Sequence, residues 1–207
     1  MTCSLWLALT PNHNHNRVPL GPYHPSLGQG RAAGEVRVEL VFKPISYTDN
    51  VKKWLGESGH YLQNPPPGCL YAVGVYEGQP GLFGELVATG PLLGLCLVSR
   101  PVARMLPQDG SIGEITRFVL LPGLPYGTAS RVLRYAAEVA KTRGMQALIS
   151  YHDRTKHTGT IYKKAGFKKD GVTTPPKGSG WASRKRSESA TTNQFTSKRR
   201  WRLTLNT

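Results

Sequence analysis

Arg117 is the first residue in this chain that asks for chemistry. It stands in the run Gly113-Glu-Ile-Thr-Arg-Phe-Val-Leu-Leu121, whose alternation predicts a strand with Ile115, Arg117, Val119 and Leu121 on one face. A guanidinium on a buried face must be paired or must meet an anion, because a buried charge left alone costs about 3–5 kcal/mol. Gly127, Thr128 and Ser130 then open a helical pattern, and the first N–H groups of a helix can hold a phosphate or carboxylate. Gly127 and Thr128 serve equally well as a turn and an N-cap. Further on, His152 and Asp153 follow a second apolar run. From there Asp153 can pair with Arg117, act as a base or cap a loop.

The elements that must position these residues are legible as alternations and periods. Val36, Val38, Leu40 and Phe42 predict a strand over 35–43, ended by Pro44. A short helix is expected over 49–58, and His60-Tyr61 leads into the Pro65-Pro66-Pro67-Gly68 loop. Residues 70–76 and 92–98 read as strands joined by a glycine-rich turn, which with 113–121 makes an antiparallel meander. Val132, Ala136, Val139 and Ala140 recur on one face of a helix over 128–143 that Gly144 ends. Residues 145–151 return as a strand, so the unit is a βαβ crossover with parallel strands. A helix over 157–165 stops at Gly166, and Phe167 starts an extended segment. The expected class is α/β (α+β) with a mixed sheet. Ligands of such sheets bind beyond the carboxyl ends of the parallel strands, here 122–127 and His152-Asp153.

Length and charge narrow the classes. The 207 residues suit one ordinary domain with tails. Residues 1–34 lack a hydrophobic period and predict a disordered leader, 35–171 the folded domain, and 172–207 a basic loop and last strand of the same domain. The formal net charge is +15, and the stretch from Arg154 to Thr207 holds 14 Lys and Arg against 2 acids. With Trp181, Phe195 and Trp201 interleaved, such a segment points to nucleic acid, the aromatic rings stacking or wedging against bases. Lys177, Trp181, Arg184, Lys185, Arg186, Lys198, Arg199, Arg200 and Trp201 are the candidate DNA contacts. Cys3, Cys69 and Cys96 are odd in number and form no CxxC pair, which fits a reducing compartment. The short apolar stretch 4–10 falls far below the ~20 residues a membrane span needs, so a cytoplasmic protein is expected.

Several blocks in order resemble a known family. They are His60-Tyr61; Leu70-Tyr-Ala-Val-Gly-Val-Tyr-Glu77; Leu93-Gly-Leu-Cys-Leu-Val-Ser-Arg-Pro101; Glu114-Ile-Thr-Arg117; Ser130; Tyr151-His-Asp153; and His157-Thr-Gly-Thr-Ile-Tyr-Lys-Lys-Ala-Gly-Phe167. Together they resemble the Gcn5-related N-acetyltransferase fold and, within it, the phage Mom family of DNA modification proteins over about residues 36–171. The resemblance implies a transferase that places a carbamoylmethyl group on N6 of adenine in double-stranded DNA, made in a bacterial host from a phage or prophage gene to shield DNA from restriction enzymes. It implies a site of His60, Tyr76, Arg117, Ser130, Asp153 and Tyr162, with His60 as base or metal ligand, the tyrosines orienting the base or donating a proton, and Arg117 and Ser130 holding the donor.

One departure bears on the donor. Acetyltransferases of this fold cradle the CoA pyrophosphate with a Q/R-x-x-G-x-G/A loop, where this chain has Pro122-Gly-Leu-Pro-Tyr-Gly-Thr-Ala-Ser130. Its two prolines remove N–H donors. Carbamoylmethyl has the atoms of a glycyl group joined the other way round, so activated glycine such as glycyl-tRNA stands beside an acyl-CoA as a candidate donor. His60, His152, Asp153 and His157 offer ligands for iron or zinc. Two rival readings remain: a conventional acyl-CoA-dependent N-acyltransferase acting on a small amine or a protein, and a non-catalytic DNA-binding protein on the same fold.

Overall fold

The computed structural model describes residues 39–59, 64–173 and 197–205. Its elements are β1 (Glu39–Ile45), α1 (Asp49–Glu57), β2 (Tyr71–Pro80), β3 (Leu86–Ser99), β4 (Ile112–Leu120), α2 (Thr128–Thr142), β5 (Ala147–Asp153), α3 (Thr160–Lys164), β6 (Lys168–Thr173) and β7 (Lys198–Thr204). The strands form one mixed sheet in the order β1-β2-β3-β4-β5-β7-β6. The first four make the expected antiparallel meander. β4 and β5 are parallel across α2, as the crossover requires. β7 inserts between β5 and β6, antiparallel to both. The last strand is therefore part of the sheet that carries the rest.

Alternation along the strands buries both faces. On one, Leu40, Val73, Val75, Cys96, Val98 and Ile115 pack against Val132, Leu133, Ala136 and Ala140 of α2. The Tyr71 hydroxyl crosses this core to donate to the Ala136 carbonyl at 2.7 Å, which satisfies a buried phenol and fixes α2 over β2. On the other face Leu55 of α1 meets Ala72, Leu95, Leu97 and Val119. Gly144 closes α2 as expected, at φ 73° with its N–H on the Lys141 carbonyl at 2.9 Å.

Four local expectations are corrected. Pro44 does not end β1 but lies inside it, opposite Val73; β1 is an edge of the described sheet, where a missing N–H breaks no ladder. β5 runs on to Asp153, so His152 and Asp153 are strand residues. The helix expected over 157–165 is confined to Thr160–Lys164. The fourth correction matters most. Leu97 faces Arg117 while Val98 faces Ile115, so Thr116 is an extra residue, a β-bulge. The pleat changes sides there: Ile115 packs with α2, whereas Val119 packs with α1. The four residues expected on one face are split by the bulge.

Candidate active site

The bulge also ends the pairing of the two parallel strands. β4 and β5 are joined from Ile112↔Ala147 to Ile115↔Ser150, and past that point they diverge. A cavity of about 560 Å³ opens in the split. Its walls are Glu114, Ile115, Thr116, Arg117 and Phe118 of β4, Ser150, Tyr151 and His152 of β5, residues 157–162 leading into α3, Thr173 of β6, Lys198 of β7, and Val102 and Ala103 of the β3–β4 loop. It opens beside the middle of β4 and not at 122–127; of the residues expected to line a crevice beyond the strand ends, His152 is in its wall and Asp153 and 122–127 are not.

Three buried polar arrangements face this space. Glu114 is 7% exposed and accepts the Val102 N–H at 2.8 Å. Burial raises its pKa above the ordinary carboxylate value, against the opposing effects of that bond and of Lys198. Ser150 donates its hydroxyl to the Tyr162 oxygen at 2.9 Å. The indole N–H of Trp201 donates to His152 Nδ1 at 2.6 Å. Tyr162 stacks on both of the latter rings, at centroid distances of 6.0 Å from His152 and 5.7 Å from Trp201.

The indole bond sets the state of His152. An accepting Nδ1 leaves the ring proton on Nε2, so the imidazole is neutral. Burial first, then the charges of His157 and Arg199, lower its pKa, with Asp153 opposing. The unfolded chain therefore binds a proton here at a higher pH than the folded one. His152 contributes stability that is present above its ordinary pKa of about 6.5 and is lost as pH falls through the lower folded value. The melting temperature should drop between pH 7.5 and 5.5, and His152→Gln should flatten that dependence; parallel slopes for the two proteins would contradict the assignment.

The expected site residues divide into those that reach the cavity and those that do not. Arg117 lines it, with Nη1 donating to the Thr116 carbonyl and Nη2 to the Asn64 carbonyl, each at 2.8 Å. The guanidinium thus straps the segment before β2 to the bulge. Tyr162, His152 and His157 also line the cavity. Asp153 is buried but is not among its walls; its Oδ1 accepts the N–H and hydroxyl of Thr155 at 2.9 and 2.6 Å, the capping role weighed for it. Tyr76 lies outside the walls on β2, with the Lys43 ammonium 4.6 Å from its ring centre. Ser130 is buried in the first turn of α2 and donates to the Gly127 carbonyl at 2.9 Å. His60 lies outside the described residues, as do Lys177, Trp181, Arg184, Lys185, Arg186 and Phe195.

The phosphate-holding turn is also altered. Thr128 is the first residue of α2 rather than its cap, a place taken by Gly127 at φ 88°. The Thr128 N–H is held by the Pro125 carbonyl at 3.2 Å. Pro122 and Pro125 lack N–H groups, so with the Thr128 N–H engaged three positions of this turn offer no donor to a pyrophosphate. Among the described residues no three His, Cys, Asp or Glu side chains form a metal-binding group. The indole bond on His152 and the Thr155 bonds on Asp153 engage two of the supposed ligands. The metal set does not assemble from His152, Asp153 and His157.

Among the basic strand residues, Lys198 reaches the cavity. Arg200 is tied to Asp170 by an ion pair of 2.9 Å. Trp201 is 3% exposed, so it is a wall support for His152 and Tyr162 and not a surface ring available to stack on nucleic acid. The sequence reading passed over Glu114 and Ser150. Glu114 had two signals, an acid inside an apolar strand pattern and its place in the block Glu114-Ile-Thr-Arg117; Ser150 had none.

Residues 39–204 match the family model described as the Mom protein family. No curated protein matches the chain. Solved structures share the fold at low identity. An acetyltransferase from Bacillus subtilis in complex with CoA is 16% identical, with a TM-score of 0.52 over 81% of this chain and 100% of that one. The ribosomal-protein-S18-alanine N-acetyltransferase of Escherichia coli is 10% identical, with a TM-score of 0.51 over 82% and 96%. A protein from Desulfovibrio desulfuricans assigned to the GNAT acetyltransferases is 12% identical, with a TM-score of 0.52 over 81% and 100%. The fold is that of the GNAT acetyltransferases, and no described helix is long and apolar enough to cross a membrane.

Proposed function

Because the chain belongs to the Mom protein family, matched over residues 39–204, we propose that it is a DNA-modifying transferase that adds a carbamoylmethyl group to N6 of adenine. The observation that carries this reading is a cavity of about 560 Å³ with a buried carboxylate, Glu114, in its wall. That volume lies within the ~300–1,000 Å³ of small-molecule sites, enough for an extruded base beside a small donor group. A net charge of +15 suits a polyanionic substrate.

The chemistry follows from the amine. The N6 lone pair is delocalised into the purine ring, so the amine is a weak nucleophile until a proton leaves. As N6 attacks the activated carboxyl carbon of a glycyl donor, one N–H bond breaks and Glu114 takes the proton, and the donor's leaving group departs with its bonding pair. The glycyl amine of the resulting amide then displaces the former N6 from C6 of the purine, one C–N bond forming as the other breaks and a proton passing to the displaced nitrogen, which leaves a carbamoylmethyl group on the new N6. Burial, by raising the Glu114 pKa, makes it a stronger base than an exposed carboxylate. The neutral His152, through its Nε2–H, and the Ser150–Tyr162 pair are the donors that would polarise the transferred group. Adenine in a duplex must first leave the stack, and the basic residues of 172–207, Lys198 at the cavity edge among them, supply the grip on phosphate. In this reading 35–171 and the last strand make one catalytic domain, 1–34 a leader, and the product shields phage DNA in the bacterial cytoplasm from restriction enzymes.

Activated glycine, such as glycyl-tRNA, stands beside an acyl-CoA as the donor, since carbamoylmethyl has the atoms of a glycyl group. Likeness of fold to a CoA-bound acetyltransferase supports the second reading, an ordinary acyl-CoA-dependent acyltransferase. Plasmid DNA from expressing cells tests the proposal. It should resist endonucleases whose sites contain adenine and should yield a modified adenine nucleoside whose added group, resolved from the purine ring by fragmentation, carries isotope from labelled glycine. Complete digestion, with soluble folded protein present, would overturn it.

A further inference from the structure

The loop between β3 and β4 combines properties that conflict inside a folded protein at rest. Met105 is 96% exposed and Val102 76%, yet the backbone that carries them is held firmly. The Gln108 amide nitrogen lies 3.1 Å from the carbonyls of Pro101 and Leu106 and 3.3 Å from that of Ala103. The Leu106 N–H donates to the Ala103 carbonyl at 3.0 Å, and its side chain packs against Ile112, Ala147 and Ile149. The Val102 N–H is fixed on Glu114. A large apolar side chain is thus presented to water on a braced support, where nothing in the fold uses it.

Its location gives it a use. Val102 and Ala103 line the cavity, so Met105 follows two residues past its wall, next to the exposed Arg104 and in the loop that the exposed Arg100 opens. We propose that Met105 is the wedge that enters the duplex in the place of the extruded adenine, with Arg100 and Arg104 on the flanking phosphates. The inference rests on the DNA-modification reading of the cavity. A base taken out of the stack leaves a gap, and unbranched or bulky apolar side chains fill such gaps; the thioether of Met adapts to irregular surroundings. Leu82 and Phe83, also exposed, lie at the β2–β3 turn, whose residues are not among the cavity walls.

The test uses full-length protein and duplexes carrying 2-aminopurine in place of adenine, read by its fluorescence on unstacking, beside nucleoside mass spectrometry of plasmid from cells. Met105→Ala should still bind duplex, should lose the fluorescence rise, and should lower plasmid adenine modification at least tenfold. An abasic site opposite the 2-aminopurine should restore the rise, and Met105→Leu should keep it. Wild-type levels of both signals in Met105→Ala would overturn the wedge alone, as would a loss that the abasic partner does not restore. No modification of plasmid adenine by the wild-type protein would overturn the reading beneath it as well.

Discussion

Replacing Glu114 with Gln should stop base modification and leave the protein at least as stable as before. Gln has the shape of Glu and keeps a carbonyl oxygen for the Val102 N–H, so the loop stays braced. It carries no charge, so it removes the cost of holding a carboxylate at 7% exposure. Because the folded pKa lies above the ordinary one, the folded state binds more protons in the interval between the two. Native stability therefore declines as pH rises through that interval, and above the folded pKa the charged group is a net cost that Gln does not carry. Loss of the weaker attraction to Lys198 offsets part of the gain. The rate under single-turnover conditions should fall by about 10²–10⁴, the usual contribution of a positioned base. Activity near the wild-type level in a folded Glu114→Gln protein would remove Glu114 from the mechanism.

The second large effect is expected at Gly159, and it acts through packing. Its φ is 78°, and a Cβ there would stand 2.6 Å from Trp201 Cζ2 and 2.7 Å from His152 Cε1, the two rings joined by the indole hydrogen bond. Gly159→Ala should cost about 1–3 kcal/mol in backbone strain and about 1–3 kcal/mol more in displaced rings. For a chain of this size that lowers the melting temperature by on the order of 10 °C. Gly123 is the control, since its φ is 86° and a Cβ would meet nothing within 4 Å. Gly123→Ala should show the strain alone. Equal losses at the two positions, with the Trp201 emission unchanged in Gly159→Ala, would show that the ring cluster does not depend on this close approach.

What the sequence made legible was what repeats. The 3.6-residue period of Val132, Ala136 and Ala140 marked α2 and its buried face, and a strand on each side of it required the parallel pair seen between β4 and β5. The site was legible in part: Arg117 and His152 line the cavity because they lie on the parallel strands past the last paired residues, and Tyr162 joins them from α3. A bulge has no such periodic mark. Thr116 is an ordinary strand residue by type, and its extra place in the register moves Arg117 to the other face from Ile115 and opens the split. Long-range pairing was equally hidden. Trp201 read as a surface ring in a basic segment, whereas β7 lies against β5 and brings its indole onto His152. Glu114 passed as one charge in a strand until the β3–β4 loop was seen to fold over it.

The most direct measurement is mass spectrometry of the nucleosides of plasmid DNA from cells making the wild-type protein or Glu114→Gln. The account predicts a deoxyadenosine species with one carbamoylmethyl group in place of a hydrogen with the wild-type protein, and unmodified deoxyadenosine with soluble, folded Glu114→Gln. Unmodified nucleosides in both, or the same modified species in both, would contradict it.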